Sequence, residues 1–435
     1  MENTAQNTAG AESRAKLGPA YKALGVSRED LRSAIGFYLD LHAHPELSGA
    51  EHRTADRFAA RLAEHGCTVT RSVGGGHGLV GVLSNGPGPT VMLRAELDAL
   101  PVTEDTGLAY ASTVPGVMHA CGHDLHLAAA AGAVAVLTGQ RDAWSGTLLV
   151  VGQPAEETLE GARAMLADEL YGRFGTPDAV LAQHTSPLPA GTVAHAARPG
   201  SPLMAGSVSL DVTLYGRGGH AGTPHLTVDP VLTAAATVLR LQSVVSRETA
   251  PDEQAVLTVG SLRAGERGNV IPDTAELSLC VRAFSDRALD RITAAAERVV
   301  RGECAVSACP RDPDVTVTAR SPVLVTDPAL TTALRFSHEE LFGRARVLDC
   351  LPTTATEDFA WFGEQGVPTA YWMLGVTGAR KWRESRAGGA PVPSNHAPGF
   401  APDVFTVLPT GIAAMASAAR RVLGAPVLGA GKEPV

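Results

Sequence analysis

The sequence lacks an apolar run long enough to cross a membrane. Its longest apolar stretch, LAAAAGAVAVL at residues 127–137, is well short of the roughly 20 residues that a membrane-spanning helix needs. A signal peptide, basic and then apolar, is also missing, because the chain begins with the polar and acidic stretch MENTAQNTAGAESRAKLG. These two absences predict a soluble, cytoplasmic protein with no membrane partner.

Positive charge is also in short supply. The chain has 36 Lys and Arg against 45 Asp and Glu, which gives a formal net charge of -9, and it shows no basic stripe. A nucleic-acid partner is therefore not expected, since such proteins concentrate basic side chains against the phosphates. Only 5% of the 435 residues are aromatic, but 45% are hydrophobic, which is typical of a globular protein. The length predicts two or three domains.

Cysteines are few and scattered. The six in this chain have no short-spaced framework, so most are interpreted as reduced, buried thiols. Cys121 is the exception, because the stretch HACGHDLH at 119–126 gathers three histidines, one cysteine and one aspartate in eight positions. A buried helix follows this stretch, and we expect Asp124 to be its N-cap. Such a concentration of soft and ionisable side chains indicates a metal or catalytic site.

Candidate ligands follow two apolar strands. The stretch GTLLVVGQPAEE at 146–157 is a buried strand that runs into Glu156 and Glu157, and the strand in DAVLAQHTSP at 178–187 delivers His184. Strands alternate with helices in this part of the chain. In open α/β sheets, ligands bind beyond the carboxyl ends of the strands. The pattern therefore predicts an α/β fold, with a doubly wound catalytic domain, a mixed sheet and one converging site.

The pattern changes near residue 200. The stretch SVSLDVTLY at 207–215 alternates apolar and polar residues with a period of two, as a half-exposed strand does. A helix, two strands, a second helix and a last strand follow at 230–246, 255–262, 275–284, 286–301 and 314–319. This β-α-β-β-α-β order is the ferredoxin-like motif. We expect an inserted α+β domain at 201–319, and a metal-binding catalytic domain at 1–200 and 320–435.

The residue types suit hydrolysis by a pair of metal ions. Two ions about 3.5 to 4 Å apart polarise a scissile carbonyl and lower the pKa of a shared water. Such a site needs several imidazole or anionic ligands and one base that takes the proton of the water. Cys121 and His123, two residues apart, can face one ion. Of the adjacent Glu156 and Glu157, one can coordinate metal while the other reaches the water.

Seven motifs give the chain a wider resemblance. They are LRAELDALP, HACGHDLH, QPAEE, QHTSP, GRGGHAGTPH, GNVIPDTAEL and SNHAPGF, in this order. In order and spacing they resemble the aminoacylase/carboxypeptidase-type metallopeptidases, and most of all the hippurate hydrolases and indole-acetyl-amino acid amidohydrolases. The resemblance runs from about residue 30 to residue 423. It implies a metal-dependent hydrolase of the linear amide bond in an N-acyl amino acid or a related N-acyl amine.

The resemblance also implies roles for single residues of the catalytic domain. Glu156 would be the general base and then the acid that protonates the leaving amine. Asp98 would orient the ligands. Two divalent ions per subunit, zinc or manganese with cobalt or nickel as alternatives, would be bound by Cys121, His123, Glu157, His184 and His396.

For the inserted domain, the resemblance implies a lid that also forms the interface of a homodimer. His220 would reach the active site of the partner subunit and stabilise the oxyanion. Asn269 and Arg282 would bind the carboxylate of a small-molecule substrate, for which a guanidinium offers two parallel hydrogen bonds. Three features depart from the family pattern. Glu96 stands where aspartate is more common, the stretch TLEGARAML follows the two glutamates where relatives are commonly glycine-rich, and residues 375–392 form a longer loop with a tryptophan.

Several alternatives stay open at this point. Cys121 can be a nucleophile with His119 or His123 as its base, although such an enzyme does not need the other ligands. His184 and His396 can be structural histidines, as we expect for His42, His44 and His126. A dipeptidase or exopeptidase of the same architecture is the main competitor as a function. A catalytically silent metal-binding protein is a further alternative.

Overall fold

The computed structural model describes residues 24–424. Residues 1–23 and 425–435, to which the predicted catalytic domain extends, lie outside the described residues. The chain divides into two compact units. The large unit contains the described residues up to Ser201, Thr326–Leu351 and the residues from Trp361 onward, and the inserted unit contains Pro202–Val325 and Pro352–Ala360.

The described residues form sixteen strands and ten α-helices. The strands are β1 Thr68–Val73, β2 Gly78–Asn85, β3 Thr90–Glu96, β4 Gly146–Gln153, β5 Ala179–Pro189, β6 Val193–Ala196, β7 Pro202–Met204, β8 Gly206–Tyr215, β9 Gly219–His220, β10 Ala255–Ala264, β11 Val270–Ile271, β12 Thr274–Ala283, β13 Asp314–Ser321, β14 Leu324–Val325, β15 Val347–Cys350 and β16 Thr369–Thr377. The helices are α1 Arg28–Ala43, α2 His52–Glu64, α3 His123–Thr138, α4 Gly161–Ala167, α5 Leu170–Phe174, α6 Pro230–Glu248, α7 Asp286–Val306, α8 Pro328–Phe342, α9 Ala379–Arg386 and α10 Val404–Leu423.

An eight-stranded mixed sheet forms the centre of the large unit. Its order is β1-β2-β4-β3-β5-β16-β6-β15. Strand β3 pairs in parallel with both β4 and β5, and β5 pairs in parallel with β16. These central strands begin with runs of buried apolar residues, as is typical of strands covered on both faces, and β16 is buried along its whole length. The predicted α/β class with a mixed sheet is confirmed.

Helix α3 lies in the core of the large unit, because its alanine-rich sequence leaves room for close neighbours. Almost all of its side chains are buried. A Cβ atom on Gly132 would lie 2.6 Å from Cδ1 of Ile412 in α10, so the two helices approach closely at this glycine. The helix begins at His123 with Gly122 as its N-cap. The prediction that Asp124 is the N-cap was therefore wrong, since Asp124 lies within the first turn.

The inserted unit has a separate core. Its four-stranded antiparallel sheet has the order β10-β12-β8-β13. Along β8 and β12 buried residues alternate with more exposed ones, which is the period-two pattern of a sheet covered on one face. Helices α6 and α7 bury apolar side chains in the same core. In chain order these elements follow the expected β-α-β-β-α-β sequence.

None of the helices within residues 24–424 is both long enough and apolar enough to cross a membrane.

Candidate metal centre

Three neighbouring parallel strands deliver the first candidate residues. Strands β3, β4 and β5 run in the same direction, so their carboxyl ends lie on one edge of the sheet. Asp98 follows β3, Glu156 and Glu157 follow β4, and His184 lies within β5. This is the arrangement that the alternation of strands and helices predicts.

Two loops bring the remaining candidates to the same edge. Gly122, between Cys121 and His123, has φ +79, a left-handed conformation that favours glycine. A Cβ at this position would lie 2.6 Å from Cγ2 of Thr185, so the loop is pressed against β5. The backbone N–H of His396 donates to the carbonyl of Ala120 at 2.9 Å, which places the second loop beside the first.

The five predicted metal ligands come together in one place. The Nε2 atoms of His184 and His396 each lie 3.3 Å from Sγ of Cys121. Oε1 of Glu157 lies 3.4 Å from Nε2 of His396 and 3.8 Å from Nε2 of His123. We call these residues the ligand cluster: Cys121, His123, Glu157, His184 and His396.

Cys121 belongs to two groups of possible ligands. One group combines it with His123 and His184, and the other combines it with Glu157 and His396. Within each group the candidate ligand atoms lie within 4.8 Å of one another. A single sulfur shared between two groups of three is compatible with a site for two ions.

Hydrogen bonds fix the orientation of two of the imidazole rings. Nδ1 of His123 donates to the carbonyl of Asp98 at 2.9 Å, and Nδ1 of His184 donates to the carbonyl of Thr185 at 2.8 Å. The lone pair on Nε2 of each ring is thereby directed into the cluster.

Two atoms of the cluster are buried without a hydrogen-bond partner among the described residues. They are Nε2 of His123 and Oε1 of Glu157. A buried polar atom without a partner is costly, and a cation would satisfy both. Thiolate, imidazole and carboxylate together are also a donor set that divalent transition metals accept. The residues of the cluster therefore fit a metal centre.

The charges of the cluster favour an ionised sulfur. Burial opposes ionisation of Cys121, but the neighbouring His184, His123 and His396 outweigh it and hold the pKa of the thiol well below its usual value. The nearby sulfur of Cys121 and carboxylate of Glu157 raise the pKa of His396 to about 10. Burial raises the pKa of the Glu157 carboxyl. The thiolate is the form of cysteine that binds metal, and these histidines favour it.

Asp98 connects two parts of the cluster. Its Oδ2 accepts the backbone N–H of Glu157 at 2.9 Å and the hydroxyl of Ser48 at 2.7 Å. Its backbone carbonyl accepts the hydrogen bond from Nδ1–H of His123. Asp98 is fully buried and so holds both ligand-bearing segments, which is the position expected for a residue that orients ligands.

The longer Glu96 side chain contacts a neighbouring histidine. Its Oε2 lies 2.8 Å from Nδ1 of His126, and its other oxygen pairs with Arg94. Nε2 of His126 accepts the backbone N–H of Thr185 at 2.9 Å. These buried contacts end at Thr185, the residue after His184. The glutamate at position 96 therefore supports strand β5, which carries the ligand His184.

The turn that carries Glu156 depends on a residue that the sequence patterns did not reveal. Ala155 has φ +51, in the left-handed region. Its N–H donates to Oε1 of the fully buried Glu51 at 2.9 Å. An acidic residue before a helix such as α2 is common without any functional role, so the pattern at Glu51 carried no signal. Glu156 is 5% exposed, and its Oε2 lies 3.8 Å from Nε2 of His123.

Three other histidines of the predicted motifs lie outside the ligand cluster. His42 is buried with its Nδ1 2.7 Å from Oδ2 of Asp124. His44 contacts the carbonyl of Asp40 with its Nδ1, at 2.8 Å. Burial lowers the pKa of His119 to about 4, so this ring is neutral.

The remaining predicted site residues belong to the inserted unit. His220 is exposed and pairs with Val270 across β9 and β11, and the N–H of Ala221 donates to the carbonyl of Asn269 at 3.2 Å. His220 and Asn269 are therefore neighbours. Arg282 lies on β12, apart from these two strands, and donates to the carbonyl of Thr354 at 2.6 Å.

The long loop predicted at 375–392 contains regular structure. Its first residues complete β16, and helix α9 occupies Ala379–Arg386. Trp382, on this helix, is half-buried.

Comparison with known proteins identifies the family. The sequence pattern of peptidase family M20/M25/M40 matches residues 92–421. This chain belongs to that family. The match begins within β3 and ends within α10, and it includes all five residues of the ligand cluster. The resemblance predicted from the seven motifs is confirmed, and with it the expectation of a hydrolase from a metallopeptidase family.

Two relatives within the M20/M25/M40 family have names that state an activity. The chain is 34% identical over 352 residues to N-acetyl-L-cysteine deacetylase of Bacillus subtilis, a match that covers 81% of this chain and 82% of the relative. It is 33% identical over 339 residues to IAA-amino acid hydrolase ILR1-like 2 of Arabidopsis thaliana, which covers 77% of this chain and 75% of the relative. Both names describe hydrolases of linear amide bonds.

The fold is also shared with a solved structure of the family. The chain matches the YXEP protein of Bacillus subtilis, described as a dinuclear metal binding peptidase from the M20 family, with a TM-score of 0.73 and 27% identity. The match covers 92% of this chain and 100% of that one.

Proposed function

We propose that this chain is a metal-dependent amidohydrolase that cleaves the amide bond of an N-acyl amino acid or a related N-acyl amine. The observation that carries the proposal is the shared position of Cys121 in two groups of three ligands, with Glu156 beside them. Family membership and the two named amide hydrolases support the same reaction class.

Two divalent metal ions would be held by the ligand cluster, namely Cys121, His123, Glu157, His184 and His396. Bound there, they supply electrophilic polarisation of the amide carbonyl and a water of lowered pKa. We propose zinc or manganese, because thiolate and imidazole favour zinc and carboxylate ligation also admits manganese; cobalt and nickel are the alternatives. The chain itself holds the ligands in place through Asp98 and through the fixed Nδ1 bonds of His123 and His184.

Glu156 is proposed as the proton carrier of the reaction. Its carboxylate lies in a nearly water-free position beside the cluster, 3.8 Å from Nε2 of His123. The left-handed turn at Ala155, held by Glu51, lets two adjacent glutamates take different tasks. Glu157 would bind metal, while Glu156 accepts a proton from water and delivers it to the departing amine nitrogen.

The roles of the inserted unit are also part of the proposal. We expect residues 201–319 to act as a lid and as the interface of a homodimer, with His220 reaching the active site of the partner subunit to stabilise the oxyanion. Asn269 and Arg282 would bind the substrate carboxylate. Arg282 donates one guanidinium N–H to the carbonyl of Thr354, and its other N–H groups would donate to the substrate carboxylate. The cytoplasmic location expected from the first residues also stays a prediction.

Glu156→Gln is the test of the proposed mechanism. The amide cannot accept the proton, so kcat is expected to fall by about 10²- to 10⁴-fold, while elemental analysis still finds the metal content of the unaltered protein. Glu160→Gln is the matched control, because Glu160 is an exposed carboxylate four residues further along the same turn, and it is expected to leave turnover unchanged. Full activity of the Glu156 variant would remove this residue from the mechanism.

A substrate panel separates the proposal from its competitors. N-acetyl and N-benzoyl amino acids are expected to be hydrolysed faster than dipeptides, and the opposite order would favour the peptidase alternative. Removal of metal with a chelator is expected to abolish hydrolysis, and restored metal is expected to recover it. A cysteine enzyme that uses Cys121 as its nucleophile would keep its activity without metal.

A further inference from the structure

The side-chain amide of Asn395 lies among three segments that carry proposed ligands. Its Nδ2 is 3.0 Å from Oγ1 of Thr185, 3.3 Å from the carbonyl of Thr185 and 3.5 Å from the carbonyl of Cys121. The same nitrogen lies 3.7 Å from Sγ of Cys121. Thr185 follows His184, and Asn395 precedes His396. The amide therefore contacts Cys121 and the residue that follows His184, and it belongs to the residue that precedes His396.

The surrounding atoms fix which end of the amide faces the cluster. Both carbonyls can only accept hydrogen bonds, and the hydroxyl of Thr185 donates its own hydrogen to the carbonyl of Cys121 at 2.5 Å. The lone pairs of that hydroxyl are thus directed to Asn395, whose NH₂ group must supply the donors. A carboxylate of the same shape would place oxygen against oxygen and against sulfur.

The residue after Asn395 is held in an uncommon conformation. His396 has φ +67, in the left-handed region, which is unfavourable for a residue with a Cβ. Such a conformation persists only where neighbouring contacts hold it. The N–H of His396 on the carbonyl of Ala120 is one such contact, and the amide of Asn395 supplies the others on the same side of the loop.

We propose that Asn395 is a positioning residue that holds Cys121, His184 and His396 at metal-binding spacing before any metal arrives. The inference rests on the proposed function, because it concerns the same cluster. Residues that orient metal ligands contribute about 10- to 100-fold to metal affinity. Asn395 is expected to contribute in this range, through donor hydrogens that neither leucine nor aspartate has at this position.

Asn395→Asp and Asn395→Leu test this role. Zinc affinity, measured by competition with a chelator, is expected to fall about 10- to 100-fold in both variants, with kcat reduced more than KM. In the metal-free protein, hydrogen exchange is expected to accelerate at residues 119–123 and 393–399, while β16 keeps its protection. The control is Asn85→Asp, because Nδ2 of Asn85 also donates to two carbonyls, those of Arg141 and Trp144 at 2.7 and 2.6 Å.

The outcomes separate this inference from the proposed function. If the unaltered protein binds none of zinc, manganese, cobalt and nickel, the proposed function fails. If the unaltered protein binds zinc and both Asn395 variants bind it with equal affinity and show unchanged exchange, only the role of Asn395 is overturned. Losses of the same size in the Asn85 variant would also overturn it, because they would mean a general loss of stability.

A separate observation concerns two cysteines at the end of α7 in the inserted unit. The N–H of Cys309 donates to the carbonyl of Cys304 at 3.0 Å, and the N–H of Ala308 donates to that of Ala305 at 3.2 Å. Ala308 has φ +56. These are the bonds of a Schellman motif, in which the side chains at the two outer positions contact each other. Both of these side chains are thiols, so the motif places two thiols at positions whose side chains commonly meet.

We infer that Cys304 and Cys309 form a modification site, a dithiol that closes to a disulfide when a low-molecular-weight disulfide is present. Cys309, the more exposed of the two, loses its proton and attacks the small disulfide, which releases one small thiol. Cys304 then loses its proton and attacks the sulfur of Cys309, which releases the second small thiol. Two protein thiols are oxidised and one small disulfide is reduced. Burial raises the pKa of Cys304 to about 12, so the second step is slow.

Oxidised glutathione tests the site in the full-length protein. Mass spectrometry of the treated protein is expected to find the peptides of Cys304 and Cys309 joined, with the loss of two hydrogen atoms. Cys304→Ser is expected to stop at a glutathione adduct on Cys309, and Cys67→Ser, which replaces a buried thiol of the large unit, is expected to close the disulfide normally. A glutathione adduct alone in the unaltered protein, or two free thiols, would overturn the inference.

Discussion

The two units of this chain treat buried polar groups in different ways. Among the described residues 202–325, the buried polar side chains are hydroxyls, namely Ser207, Thr233, Thr237 and Ser321. The large unit instead buries ionisable groups close together, and those at or beside the ligand cluster are Arg94, Glu96, Asp98, His119, His123, Asp124 and His126. The same chain therefore builds an ordinary apolar core in one place and a charged interior in another.

This difference indicates where function lies. Burying an ion costs several kcal/mol unless partners compensate it, and residues 202–325 show that this chain can form a core without that cost. The buried carboxylates of the inserted unit, Glu357 and Asp358, belong to its short second segment.

Two of the buried groups of the large unit are connected to the ligands by hydrogen bonds, since Asp98 contacts His123 and the N–H of Glu157. Glu96 contacts His126, which accepts the N–H of Thr185 beside His184. Strongly shifted groups that converge on one cleft are typical of functional sites. The comparison can be tested with matched substitutions in the two units.

The largest expected effect comes from replacing Cys121 of the large unit, with Cys304 of the inserted unit as the matched comparison. Cys121→Ala removes the sulfur shared by both ligand groups, so metal content and hydrolysis are expected to be lost together. Cys304→Ala removes a buried thiol of the inserted unit and is expected to cost about 1 kcal/mol of stability with no change in metal content. Elemental analysis and thermal unfolding measure both variants. Equal metal content in the two variants would contradict the proposal that Cys121 binds metal.

A smaller effect is expected from a buried ion pair of the large unit. Burial alone would lower the pKa of His42, but hydrogen bonds to Asp124 and Glu104 outweigh it and raise the pKa to about 9. Because this value lies above the roughly 6.5 of an unfolded histidine, the pairing stabilises fully below about pH 6.5. The contribution is lost as the pH rises through about 9.

His42→Gln measures this contribution. The free energy of unfolding is expected to fall by about 3 kcal/mol at low pH, and the difference from the unaltered protein is expected to shrink between about pH 6.5 and pH 9. His225→Gln replaces an exposed histidine of the inserted unit and serves as the control. A difference for His42 that does not depend on pH would show that the ion pair is not its source.

The smallest expected effect compares two helix glycines. Gly132→Ala in α3 would place a Cβ 2.6 Å from Ile412, so it is expected to destabilise the protein by about 1–3 kcal/mol. Gly302→Ala in α7 meets no atom within 4 Å and is expected to stabilise by up to about 1 kcal/mol, since alanine is the better helix former. Calorimetry measures both midpoints. Stabilisation by the Gly132 variant would contradict the close packing of α3 on α10.

The sequence predicted the parts of this molecule that depend on strand order. Hydrophobic runs indicated β4 and β5, and parallel strands bring the residues that follow them to one edge of the sheet. It did not predict the start of α3, because the helix has the left-handed Gly122 as its N-cap and begins two residues earlier than it would after a capping Asp124. Glu51 and Asn395 were also missed, since they act on backbone atoms that only tertiary packing brings near. The roles of His220, Asn269 and Arg282 stay predictions.

The most direct test of the account is the metal content of the purified protein, measured together with its activity. Two divalent ions per subunit are expected. Stepwise removal of these ions is expected to abolish hydrolysis of an N-acyl amino acid, and adding back zinc or manganese is expected to restore it. A protein that binds no divalent ion under these conditions, or that hydrolyses the substrate equally well without metal, would contradict the account.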